Sequence, residues 1–200
     1  MKSSIKPVFR KRVFTLSSFF QHLGRTGLRL PSLFSALRHP ATSASMREQV
    51  MLAVTSVNDC RYCAWAHTHL ALKEGVNLSE LQSQLDHSST LKDEKSATAI
   101  LFAQHFAEQQ AQPSAEAMQR LHQAFTDEQV QELLTYMQAI YFANLSGNSF
   151  DALLARFRGF EVKDSSISAE LISSLISWPV LVAIRIAARK DRKVGIAGLS

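Results

Sequence analysis

Acidic side chains are missing from the first 47 positions, which carry nine Lys or Arg and no Asp or Glu. Residues 185–193 (RIAARKDRK) add five bases against one acid, whereas residues 48–184 hold sixteen acids against eight bases. The net charge of +5 therefore belongs to the two ends, and the middle is acidic. That distribution excludes a nucleic-acid-binding core, which needs a basic face on the folded body, so no nucleic acid is expected as a partner. It leaves the ends suited to anionic partners or a membrane surface. Glycine and proline total twelve, too few for a turn-rich β fold. A long apolar run is also missing. The most apolar stretch, residues 171–188, is interrupted by three serines, Pro179 and Arg185, so a membrane-spanning helix is not expected. Cysteine is nearly absent: Cys60 and Cys63 are the pair. Three residues apart, they exclude a structural disulfide framework, which staples distant segments. Their spacing points to redox chemistry or metal binding in a reducing, cytoplasmic compartment.

What remains is material for one substantial helical core: 200 residues, 46% apolar and 20% charged. Ser45 and Glu48 have capping-box spacing ahead of Val50, Met51, Val54 and Val57, which predicts a helix over 45–57. Asn58 and Asp59 read as the start of a second helix over about 60–74, with Gly75 as its stop. The connection is so short that the two helices should be antiparallel neighbours. Further helices are expected over 78–85, over 91–110 with Ala99, Phe102, Ala103 and Phe106 on one face, and over 114–124. Thr126 and Gln129 repeat the capping-box spacing before a helix through about Asn144. Gly147 and Asn148 then interrupt the pattern, and a separate helix follows over 150–157. After the loop GFEVKDSS, Ser168 is expected to cap a last helical region that bends or breaks near Pro179. No alternating strand pattern occurs, and the fold class is all-α.

The chemistry lies in NDCRYCAWAHTH, residues 58–69. On a helix, Cys60, Cys63 and His67 fall on one stripe. A helix start and a nearby imidazole both lower a thiol pKa. A CxxC pair lets one sulfur attack while the other resolves the sulfenic acid or mixed disulfide. The helix dipole favours Cys60 as the attacking sulfur and proximity to His67 favours Cys63; the reading leans to Cys63. Glu48, twelve residues before Cys60, has two roles open to it. It can complete a capping box with Ser45, or reach His67 across the helix pair and orient the imidazole. Tyr62 is an accessory candidate as donor to a peroxide oxygen, or a packing aromatic. Zinc on Cys60, Cys63 and His67 lacks a fourth ligand, because His69 points about 160° away. A c-type haem needs CxxCH, and Ala64 stands in the His position. No cofactor and no metal is expected. Burial of two inert thiols is the remaining reading.

Residues 30–76 combine a Leu-Pro start, His39-Pro40, Arg47-Glu48 and the spacing E-x11-C-x-Y-C-x3-H-x7-G. They resemble the alkylhydroperoxidase D-like group of the carboxymuconolactone decarboxylase family. The resemblance covers about a quarter of the chain. It implies a helical bundle assembled as trimers or hexamers, with Glu48, Cys60, Cys63 and His67 as a thiol-redox and proton-relay site. Some members carry His where Tyr62 stands. Decarboxylases of the wider family lack the CxxC, which argues against decarboxylation.

The organisation expected is a basic arm over 1–29, the alkylhydroperoxidase D-like core over 30–165 and a helical extension over 166–200. The expected function is reduction of hydroperoxides or substrate disulfides in antioxidant defence, with an external dithiol or thioredoxin-like reductant. The rivals are a non-catalytic oligomeric scaffold or membrane-associated adaptor, and a zinc-stabilised domain. The arm, rich in Ser, Lys and Arg, also overlaps with an organellar transit segment, and the basic ends with peripheral membrane binding. Its expected place is around the acidic body of a neighbouring subunit.

Overall fold

The structure, a computed structural model, describes residues 6–77, 79 and 94–193. Eight helices are placed there, and a single parallel bridge between Val8 and Glu161 is the one β contact among the described residues. In chain order they are α1 (Leu16–Leu28), α2 (Leu30–Arg38), α3 (Ala44–Asn58), α4 (Arg61–Lys73), α5 (Glu94–Glu108), α6 (Ala115–Ala124), α7 (Asp127–Phe157) and α8 (Ile167–Lys193). The fold is all-α. The expected helix over 78–85 lies outside the described residues. No described helix is long and apolar enough to cross a membrane.

Helix α7 is the axis. Helices α1, α2, α3, α4 and α8 all pack on it. Its start was legible: Thr126 and Gln129 form a full capping box. Its length was not. It runs unbroken for 31 residues through Gly147 and Asn148, where an interruption is expected from the sequence. Both residues are buried because they face the CxxC turn, and tertiary contacts override the low helix propensity of Gly. On α5 the expected apolar face is buried, with Ala99, Phe102, Ala103 and Phe106 all in the core. Helix α8 likewise continues through Pro179. Its first turn is capped by Ser166, whose Oγ accepts from the Ala169 N–H, and not by Ser168. Arg156 of α7 clamps α8 through both oxygens of the fully buried Glu170 carboxylate, at 3.0 and 2.8 Å.

The α3–α4 junction also differs from expectation. Ser43, not Ser45, caps α3 by accepting from the Met46 N–H. Asn58 closes α3, and Asp59 is its C-cap in the left-handed region (φ 54°). A short polar side chain tolerates that conformation best after Gly. Cys60 itself is then the N-cap of α4. Gly75 ends α4 as expected, at φ 81°, with Val76 N–H bonded back to the Ala71 carbonyl.

The basic N-terminal stretch, expected around a neighbour, packs on its own chain. Phe14 and Phe19 are fully buried, and His22 is buried against Phe14 and Tyr141. Burial first, then the charge of Arg25, lowers His22 to about 4, so it sits in the core uncharged. Residues 7–14 form a strap stitched down at successive points. Pro7 and Phe9 pair with Glu161, the Arg12 carbonyl accepts from Asn148, and Phe14 N–H donates to Ser149. On α7 the strap meets Asn148 and Ser149, and Asp151 lies 4.0 Å from Lys11.

Candidate active site

Helices α3 and α4 run antiparallel, and this brings the sequence candidates into two adjacent pairs. In the first, the Cys60 and Cys63 sulfurs lie 2.9 Å apart as free thiols, both buried. In the second, His67 Nδ1 is 2.7 Å from Glu48 Oε2. The other Glu48 oxygen accepts from Arg47 Nε at 2.7 Å. Of the two roles open to Glu48, the contact with His67 is the one present. Ser45 instead bonds Gln49. Burial opposes the charge on Glu48, but the hydrogen bonds and charges of His67 and Arg47 outweigh it and hold the carboxyl below its ordinary value. An ionised carboxylate has no proton to give, so His67 Nδ1 is the donor in this contact. No hydrogen bond joins His67 to either sulfur among the described residues.

The two sulfurs are unequal. The hydrogen bond between the two sulfurs comes first, and contacts with the backbone N–H groups of Cys63 and Tyr62 add to it. Together they lower the Cys60 thiol against burial and the charge of Asp151. The Cys63 thiol is pushed well above its ordinary value by that same bond to Cys60 and by burial. Thiolate character therefore gathers on Cys60, at the open first turn of α4. The sequence reading leans to Cys63 on proximity to His67; the two shifts favour Cys60.

Tyr62 is not free to serve a peroxide. Its hydroxyl donates to Asp151 Oδ1 at 2.8 Å and accepts from Arg61 at 2.7 Å. Burial first, then Asp151, pushes its pKa up to about 12, so the phenol keeps its proton. Its one donor is already used. Trp65 stacks on His69, at 4.4 Å between ring centres, and His69 Nδ1 contacts the Trp65 carbonyl. Among the described residues no three His, Cys, Asp or Glu side chains are grouped to hold a metal.

Helix α7 supplies the residues that sequence reasoning missed. Asn144 bonds Thr55 and Asn58 and helps to stabilise Cys63 as an anion. Asn148 Nδ2 donates to the Asn58 carbonyl at 2.7 Å, fixing the end of α3. Asp151 holds Arg61 at 2.5 Å and lies 4.0 Å from Lys11, which also bonds the Asp59 carbonyl at 2.8 Å. Gly147 provides room for sulfur: a Cβ there would lie 2.9 Å from Cys60 Sγ and 3.3 Å from Tyr62 Cδ2. The signal was present in the sequence. Asn144, Asn148 and Asp151 recur at offsets of four and seven, a polar stripe on one helical face.

Gly147→Ala tests that cradle. Overpacking costs about 1–3 kcal/mol, and the better helix propensity of Ala returns up to about 1 kcal/mol. A net loss of about 1 kcal/mol is expected in thermal or urea unfolding. The displaced sulfur should slow disulfide closure about tenfold, because that step needs the attacking geometry to be held in advance.

Residues 31–105 match the family model described as the carboxymuconolactone decarboxylase family. Over this segment the chain is similar to that family. The matched segment spans α2 to α5 up to His105 and contains Glu48, Cys60, Cys63 and His67. Helix α7, with Gly147 and the polar stripe, lies outside the matched segment. No curated protein and no solved structure matches the chain.

Proposed function

We propose that the chain is a thiol-dependent oxidoreductase of the alkylhydroperoxidase D-like kind, which reduces hydroperoxides or substrate disulfides. The single observation that carries this reading is the buried pair of free sulfurs 2.9 Å apart, beside an imidazole held by a buried carboxylate. A structural thiol pair needs no such neighbour.

With a hydroperoxide, the Cys60 thiolate attacks the terminal oxygen and the O–O bond breaks. The proton that the Cys60 thiol lost, taken up by His67 through solvent, passes to the leaving alkoxide, and Cys60 becomes a sulfenic acid. Cys63 then gives up its proton and attacks the Cys60 sulfur. Water is released and the Cys60–Cys63 disulfide forms. Two electrons have passed from the dithiol to the peroxide. An external dithiol, or a thioredoxin-like protein, returns them by exchange through a mixed disulfide. With a disulfide substrate the first attack gives a mixed disulfide in place of the sulfenic acid, and the closing step is the same. His67 has no sulfur within hydrogen-bonding distance, so the proton crosses through solvent or the substrate itself. Glu48 keeps the imidazole in one tautomer throughout.

A homo-oligomer, as trimer or hexamer, fits the exposed apolar side chains of Phe20, Phe34 and Leu37 on α1 and α2 and of Leu175 and Trp178 on α8. Thiol titration before and after peroxide tests the redox reading. Loss of two thiols per chain, restored by dithiothreitol, is expected. Thiols that stay unreactive in the folded protein would remove the basis for it.

A further inference from the structure

Next to the dithiol lies a cavity of about 210 Å³ that the redox cycle does not use. Three cations line it, Lys11 from the strap, Arg61 from α4 and Arg158 from the end of α7, against one carboxylate, Asp151. Arg61 is taken up by Asp151 and Tyr62, and Lys11 by Asp59. Arg158 is exposed, and no hydrogen bond or ion pair engages its guanidinium among the described residues. The remaining wall is apolar and includes Phe9, Leu154 and Phe160. Tyr62 links this cavity to the sulfur. Its hydroxyl is bonded to Asp151 in the wall, and its ring edge and Cys60 Sγ crowd the same point above Gly147, at 3.3 and 2.9 Å.

We infer that this cavity is a subsite for the anionic head of an amphipathic carboxylate-bearing hydroperoxide, with Arg158 as its anchor. The inference rests on the redox reading above and names its substrate class. A neutral or cationic molecule gains nothing from three cations around one carboxylate, whereas a planar carboxylate matches the guanidinium fork. The apolar wall takes the chain next to the head. Lys11 and Arg61 add long-range attraction without leaving their present partners. Rotation of the Tyr62 ring away from Phe150, with release of its hydroxyl bonds to Asp151 and Arg61, opens the line from the cavity to Cys60 Sγ. The chemistry there is the displacement already described, with the same balance of electrons and protons.

Two measurements on the full chain test this. Hexanoate is titrated into the labelled protein and followed through the amide resonances of Arg158, Gly159 and Phe160. Saturable shifts are expected, absent with hexan-1-ol and lost in Arg158→Gln. No saturation, or equal shifts in Arg158→Gln, overturns the subsite whatever the dithiol does. Separately, kcat/KM is compared for a fatty-acid hydroperoxide and its methyl ester. The acid-to-ester ratio should fall about tenfold in Arg158→Gln and be partly restored in Arg158→Lys, as for a partly exposed charge-assisted contact. If the wild-type dithiol is oxidised but acid and ester are used alike, the subsite fails and the redox reading stands. If neither hydroperoxide oxidises the dithiol, the redox reading fails and the hexanoate titration alone decides the anion site.

Discussion

Replacing Cys60 with Ser is expected to slow peroxide-driven thiol loss by about 10³-fold or more, since it removes the nucleophile itself. The Cys63→Ser variant should behave differently. It keeps the Cys60 thiol, loses one thiol to peroxide, and stops at the sulfenic acid or a trapped mixed disulfide. The asymmetry follows from the hydrogen bond between the sulfurs. That contact lowers the Cys60 thiol and, with burial, raises the Cys63 thiol. The pH dependence carries the same sign. Because the Cys60 thiol is lowered, the rate of the first thiol loss should rise with pH and level off below the ordinary thiol range. Removing Cys63 takes away the largest stabilising contact, so the midpoint should move up in Cys63→Ser. Rapid-mixing thiol assays with mass spectrometry read both effects. A substrate trapped by Cys60→Ser and not by Cys63→Ser would reverse the assignment.

Glu48→Gln is the second large effect. The amide has the same shape but no charge, and it no longer fixes His67 in one tautomer. Turnover should fall about 10²-fold, the usual scale for a disabled acid–base group. Stability should change as well. Glu48 is buried, and Arg47 loses its counter-charge. Breaking a fully buried pair costs about 3–5 kcal/mol. Arg47 is partly exposed and can turn to solvent, so about 1–3 kcal/mol is expected here. The sign with pH is fixed by the lowered carboxyl. The stabilisation it gives is fully present above the ordinary carboxyl range and is lost as pH falls through the lowered value. Urea midpoints at pH 7 and pH 3 should therefore converge for wild type and Glu48→Gln at the acid end. A constant gap across that range would show that Glu48 contributes only through shape.

The helix class and the pairing of α3 with α4 were legible because they rest on local periodicity and a short connection. The Glu48–His67 contact was legible as one of two alternatives, since it joins adjacent antiparallel helices. Three features were not. Asp59 reads as a helix start, because N-caps and left-handed C-caps both favour short polar residues. Gly147 reads as a break, because nothing local reveals that a sulfur comes to rest on it from 87 positions upstream. The inequality of the two thiols comes from their contact and their burial in the folded chain, which the sequence does not display. The Gly147 failure has a long-range source, a contact between segments far apart in sequence that overrides a local preference.

Helix α7 has a mechanical consequence. Glu132 near its start accepts from the backbone N–H groups of Ala41 and Thr42, tying down the α2–α3 turn, at 2.7 and 2.9 Å. Asp151, nineteen residues later, ties down Arg61 and Tyr62. At about 1.5 Å per residue the two anchors stand roughly 28 Å apart on one unbroken rod. A rod without a hinge cannot tilt at one anchor and stay still at the other. Whatever docks at the α2–α3 turn thus has leverage over the groove in which the Cys60 sulfur lies.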